Sequence, residues 1–340
     1  VTNMTGSPVS GEFLLVRAHK DDNTGAAAPQ PLGGASSGYK FNTRYTYGDE
    51  SRVLTWSNSG YVDCAEAVAW DNATDVAPHY ADITSTGWIW PSPAGFPLPY
   101  SHKVYTFIPR GYSGLTWSFS LPGWGGDART LVLAGHTAGS VLNVRGDYSY
   151  RFLYKNPAGP NLADVDAVVD YALGADRVDI VSRSDFFDGV LSEPYLSSLT
   201  PSAHDLMAYA LQTFICNTWW VYNGAGNEWF SVWEGTPCMF HSTVDVEYND
   251  AWFYLSFWPD LLQKILQEWP LFEKWNWQGK YLSHDMGMVD SATGMAYPHD
   301  MPVEENADYI LLLYSYWKHT GDTAFMKSQF GHVRDYASFI

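Results

Sequence analysis

The stretch from Trp233 to Tyr248, WEGTPCMFHSTVDVEY, carries the densest set of chemically able groups in the chain. Glu234 lies between Trp233 and Gly235, as a loop residue would, and Asp245 follows at what reads as a helix start. Two carboxyl groups presented in this way can share one pocket, where one passes a proton and the other attacks or binds. The plain alternative for an isolated Trp-Glu-Gly is a turn with a solvated acid, so its meaning depends on partners elsewhere. The next concentration, Tyr281-Leu282-Ser283-His284-Asp285-Met286-Gly287, is a His–Asp pair in a loop whose glycine permits a tight backbone path. Its plain alternative is a histidine hydrogen-bonded to its own loop.

No third ligand stands at a recognisable spacing from that pair, and Cys64, Cys216 and Cys238 form no CxxC or Cys/His pattern. Neither a metal nor another cofactor is therefore expected. At most one disulfide can form, and Cys216 and Cys238, which flank the same loop, are the candidates for it.

Two kinds of element must hold these groups. Up to about residue 195 the chain reads as strands, among them Phe13–Val16, Lys103–Ile108, Leu115–Leu121 and Thr130–Leu133, with Gly, Pro, Asn and Asp clusters between them. An antiparallel β-sandwich over residues 1–195 is the expected result. The apolar spacing then turns helical. Thr200-Pro201 reads as a helix start, followed by a stripe of Leu206, Tyr209, Ala210 and Phe214. A second helical region covers about 246–268 and restarts at Pro259, and a third runs from Glu304 to His319. Gly321 supplies a left-handed stop, Asp322 caps the next helix, and that helix shows an apolar face of Phe330, Val333, Tyr336, Ala337 and Ile340. Helical hairpins after a β-domain predict an α+β chain in which residues 196–340 form the first part of an (α/α)6 barrel. Four or five helices cannot close a twelve-helix barrel, so the remainder of the barrel is expected as a partner, in the same or another chain.

Composition narrows the function classes. Asp and Glu number 37 against 19 Lys and Arg, a formal charge of -18 that repels nucleic acid and anionic membranes. No apolar run is long enough to span a bilayer. The sequons at Asn3 and Asn72 predict a secreted glycoprotein. With 16 Trp and 23 Tyr, flat faces with polar edges are available to bind a sugar ring, although each could equally belong to a core.

Together these residues resemble known families. Glu234-Gly235 with Asp245 eleven positions on, His284-Asp285-x-Gly287, and a long helix ending in Thr320-Gly321-Asp322 resemble glycoside hydrolase family 116 and, less closely, family 52. That resemblance, mainly over 215–340, implies a β-sandwich followed by an (α/α)6 barrel and a retaining β-glycosidase acting on a carbohydrate. It implies Glu234 as the nucleophile and Asp245, His284 and Asp285 as sugar-binding groups, with Trp233 and Glu304 added as substrate contacts. The implied acid/base falls beyond Ile340. Ser242-Thr243-Val244-Asp245-Val246, His284-Asp285, Met301-Pro302-Val303-Glu304-Glu305 and Thr320-Gly321-Asp322 equally resemble the helical domain of secreted fungal glutaminases, which implies an amidohydrolase on the same six-hairpin plan. Trp233-Glu234-Gly235 and the tryptophan content favour the glycosidase; the amidohydrolase and a carbohydrate-binding protein without catalysis are the alternatives.

Overall fold

The computed structural model describes residues 2–19, 30–35, 37–47, 60–70, 76–82, 111–127, 131–155, 161–174, 176–192, 194–200, 202–234 and 238–340. Two compact units emerge. One comprises the described residues within Val1–Tyr47, Ser59–Gly139 and Tyr154–Asp188; the other comprises those within Ser140–Leu153 and Gly189–Ile340.

The first unit holds strands β1 (Val9–His19), β2 (Gln30–Pro31), β3 (Ser37–Tyr47), β4 (Gly60–Trp70), β5 (Val76–Asp82), β6 (Gly111–Leu121) and β7 (Leu131–His136). They form two antiparallel sheets, β1-β6-β5 and β2-β3-β4-β7. In the second sheet Ala67, Ala69 and Ala134 are buried against Val165 and Val169 of helix α1 (Val165–Leu173), small side chains letting the helix come close to the strands. Asp164 caps α1 by accepting from the Ala167 N–H at 2.8 Å. Asp166 then accepts from the Gly33 N–H and pairs with Lys40, tying the helix to the edge of the same sheet.

Two expectations are corrected here. Helical structure starts at Val165 and continues in α2 (Arg177–Leu191), so the first 195 residues are not all strand and loop. Their strands segregate with the surrounding helix, which period-two patterning alone could not reveal. Asn3, expected to carry a glycan, is only 5% exposed. Its amide nitrogen donates to the carbonyls of Ser7 and Pro122, both at 2.8 Å, so the atom a glycan would occupy is spent inside the fold. The other sequon, at Asn72, and the strand expected at Lys103–Ile108 lie outside the described residues.

The second unit opens with strands β8 (Leu142–Val144) and β9 (Asp147–Phe152), followed after α2 by helices α3 (Pro194–Leu199) and α4 (Ala203–Asn217). Strands β10 (Thr218–Tyr222) and β11 (Glu228–Val232) make a hairpin that joins β9. Helices α5 (Val244–Phe257) and α6 (Pro259–Glu268) follow, then the small hairpin β12 (Lys274–Asn276) and β13 (Gly279–Tyr281), strand β14 (Ser291–Ala292), and helices α7 (Pro302–Thr320) and α8 (Thr323–Phe339). The sheet order is β11-β10-β9-β8-β14, with β14 parallel to β8.

Pro259 and Pro302 occupy first-turn positions that need no amide donor, so each starts a helix. At the other end of α7, Gly321 adopts φ +72°, and Asp322 accepts from the Phe325 N–H at 2.9 Å to start α8. Helix α7 packs against both α5 and α8.

The helix faces differ from expectation. On α8 the buried residues are Phe325, Tyr336 and Phe339, whereas Phe330 and Ile340 are exposed. On α4, Leu206 and Tyr209 are exposed, and the helix begins after Ser202 rather than at Thr200. Periodicity identifies a stripe; neighbours choose which stripe is covered. Among the described residues no helix is long and apolar enough to cross a membrane.

Candidate functional site

Glu234 leaves the sheet directly after β11. Its N–H donates to the Phe240 carbonyl at 2.8 Å, while Trp233 bridges to His241. A second loop, running from His284 to Val289, is zipped to the far side of this one. His241 N–H donates to Gly287 O at 2.8 Å, Met286 N–H to His241 O at 3.0 Å, and Val244 N–H to His284 O at 3.0 Å. The last of these sets His284 beside the first turn of α5, where Asp245 sits. Holding two loops this close costs backbone strain: Met239, Ser242 and Val289 have φ of +52°, +44° and +58°, a region that non-glycine residues seldom occupy and β-branched ones avoid. The His241 ring, fully buried, braces the junction through Val289 O at 2.8 Å and Ser231 Oγ at 3.1 Å. Burial lowers its pKa to about 4, which leaves it a neutral structural group.

The centre of the site is His284. Its Nδ1 lies 3.1 Å from Asp285 Oδ2, and Asp285 is itself completely buried. Asp285 Oδ1 accepts from the Gly287 and Ala296 N–H groups, and Oδ2 from that of Tyr297, so the carboxylate cannot turn. Held from the Nδ1 side in this way, the ring presents Nε2 on the side of Asp245. Tyr297 stacks on the ring at 4.3 Å and Phe240 meets it edge-on at 5.9 Å. Nε2 stands 4.0 Å from Asp245 Oδ1.

Helix α7 adds the residue that sequence reasoning passed over. Glu304, the expected contact, is exposed; Glu305 is completely buried, and neither of its carboxyl oxygens has a hydrogen-bond partner. Burial, followed by the nearby charges of Asp245, Asp308, Glu304 and Asp285, pushes its pKa up to about 9. Ligating atoms of Asp245, His284 and Glu305 all lie within 4.8 Å of one another. The adjacent Asn306 Oδ1 accepts from Leu282 N–H at 2.9 Å, so the turn that delivers Glu305 also anchors the His284 loop.

Glu234 borders this group. Its carboxyl is half-buried, Oε2 has no partner, and burial raises its pKa; Asp245 and Asp285 add to the rise, while His284 and the Cys238 thiol oppose it. Glu234, Asp245, His284 and Asp285 are thus brought within electrostatic reach of one another, with Glu305 as a fifth member. Trp233, expected as a substrate contact, is partly exposed and tied into the loop packing. Its indole N–H donates to Met239 O, and its ring packs on Trp219 and His241. The suggested Cys216–Cys238 bridge is absent; both are free thiols.

Residues 205–340 match a family model described as the glutaminase A six helical-hairpin domain. No curated protein matches the chain. The match includes every residue of the site just described and less than half of the chain. It corresponds to the glutaminase resemblance, and it meets the glycosidase resemblance only at the level of a six-hairpin helical domain.

Proposed function

We propose that this site is hydrolytic and cleaves the carboxamide of a small amino-acid-like substrate, of which glutamine is the first to test. The observation that carries the reading is the meeting of Glu234, Asp245, His284, Asp285 and Glu305 inside the stretch similar to a glutaminase A domain. Amide hydrolysis adds water to the carbonyl carbon, breaks the C–N bond and sends a proton out with the ammonia. Glu234, half-buried with an unpartnered oxygen and a raised pKa, suits a group that takes the proton from water and returns it to nitrogen. Asp245, the partly exposed carboxyl of the group, suits the cationic α-ammonium of an amino acid, and the partly exposed Tyr297 ring beside His284 offers an apolar face to its methylenes.

The same reading takes the two antiparallel sheets as a β-sandwich and the hairpins as part of an (α/α)6 plan. Exposed Leu311 and Tyr314 on α7 and Phe330 on α8 are then the surfaces against which further hairpins pack.

A glycosidase remains a second reading on one observation: Asp245 and Glu305 present carboxyl oxygens within 4.8 Å, near the spacing a retaining pair uses. It has less support, because Trp233, the ring nearest Glu234 in sequence, spends its indole N–H and a ring contact on loop packing. The experiment is ammonia release from glutamine and asparagine, run beside a panel of aryl glycosides. Ammonia release that disappears in Glu234→Gln, with an unchanged melting temperature, supports the amidase. Sugar release without ammonia release overturns it.

A further inference from the structure

We propose that Asp245, His284 and Glu305 form a binding site for a divalent cation of the zinc or manganese type. Three elements supply one ligand each: the first turn of α5, the loop after β13 and the first turn of α7. Their donor atoms all lie within 4.8 Å of one another.

The case rests on three independent features of the geometry. Glu305 is completely buried, yet both of its carboxyl oxygens lack a partner, and a buried polar group without a partner is costly unless something fills the place. His284 is oriented from behind by Asp285 on its Nδ1 side, with Nε2 on the side of Asp245, which is how a metal-ligating histidine is held by a second carboxylate. Nε2 and Asp245 Oδ1 are 4.0 Å apart, too far for a hydrogen bond. Around a tetrahedral ion with ligands at about 2.0–2.2 Å, neighbouring donors stand roughly 3.3–3.6 Å apart, so His284 and Asp245 need close by only about half an ångström to share one.

The donor set narrows the ion. One imidazole nitrogen with two carboxylates suits zinc or manganese, whereas calcium and magnesium favour oxygen alone. Three protein ligands leave a position open, as in sites that hold a water or a substrate oxygen. This inference stands apart from the choice between amide and glycoside, since it is read by binding rather than by turnover.

The test is calorimetric titration of chelator-stripped protein with zinc, manganese and calcium salts, with the melting temperature followed in parallel. We expect one zinc or manganese ion per chain, a raised melting temperature, and weaker binding of calcium. Asp245→Asn and Glu305→Gln should each weaken binding at least tenfold, whereas Glu304→Gln, changing the exposed neighbour, should not. Asp245 is partly exposed, so its variant keeps the fold and decides the matter if Glu305→Gln does not. No stoichiometric binding by the wild-type chain, or equal binding by Asp245→Asn, would overturn the site.

Discussion

Gly287 holds φ +140° in the second of the two loops that carry the site, and a Cβ there would lie 2.0 Å from the Ser291 carbonyl oxygen and 2.9 Å from Ala292 Cα. Those are backbone atoms, which cannot step aside as a side-chain tip can. Gly287→Ala should therefore cost on the order of 3 kcal/mol, read as a fall in urea midpoint, and should loosen Asp285, which accepts from the Gly287 N–H. A variant as stable as wild type would show that the loop has another path. Glu234→Gln should behave in the opposite way: about 10²- to 10⁴-fold less turnover, with stability kept. The His284–Asp285 pair was legible because adjacent residues in one loop need no tertiary information. Glu305 and Glu304 are hard to tell apart in sequence because a single helical step separates the buried acid from the solvated one. A signal existed in the sequence: Glu305 continues the stripe of Tyr309, Leu312, Leu313 and Tyr316, all buried, whereas Glu304 shares its exposure with Leu311 and Tyr314.

At the scale of elements, local chemistry was readable and pairing was not. The turn between α7 and α8 is written in Thr320-Gly321-Asp322, where a left-handed glycine and a capping carboxylate act within a few residues. Asp322 also accepts from Gln263 of α6 at 3.2 Å, so Asp322→Ala should remove a cap and a link to another helix. The expected loss is about 1–2 kcal/mol in denaturant unfolding, while Asp322→Asn, which keeps an accepting oxygen, should lose much less. Equal losses would assign the effect to charge and not to capping. The covered face of α8 was illegible for a physical reason. Phe325, Tyr336 and Phe339 form one helical stripe and Phe330, Val333, Ala337 and Ile340 another, and only tertiary partners break the tie. Tyr281 of β13 against Phe339, and Glu273 holding Tyr336 and His332, supply that choice. The two-residue strand β14 was hidden likewise, since its pairing with β8 spans about half the chain.

The whole molecule carries a formal charge of -18, and its second unit also buries acids that the surface charge does not show. Glu268 on α6 is buried; one oxygen accepts from Phe230 N–H at 3.0 Å and the other has no partner. Burial pushes its pKa well above the ordinary 4.5, with Glu247 of α5 adding to the rise and the Phe230 N–H and Lys264 opposing it. Lys264 is itself engaged by Glu228 of β11, and Tyr254 of α5 places an unpartnered hydroxyl in the same interior. Burial also raises Asp250 on α5. The folded chain therefore keeps protons on these carboxyls that the unfolded chain has released, so their contribution is fully present below about pH 4.5 and is lost as pH rises. His241 acts in the other direction: unfolded, it takes a proton below its ordinary 6.5, whereas folded it resists until about 4, so stability falls as pH drops through that window. Burial lowers His136 too, with the same sign. The two limbs together place maximum stability on the acid side of neutrality, between about pH 5 and 6.5. Melting temperatures measured by calorimetry in chelator from pH 4 to 9 should peak in that interval and decline by pH 8. Glu268→Gln, a near-isosteric neutral side chain, should flatten the alkaline limb and leave the acid limb unchanged, because the acid limb belongs to the histidines. A wild-type melting temperature still rising at pH 8, or a Glu268→Gln profile as steep as wild type, would show that Glu268 carries its charge inside the fold.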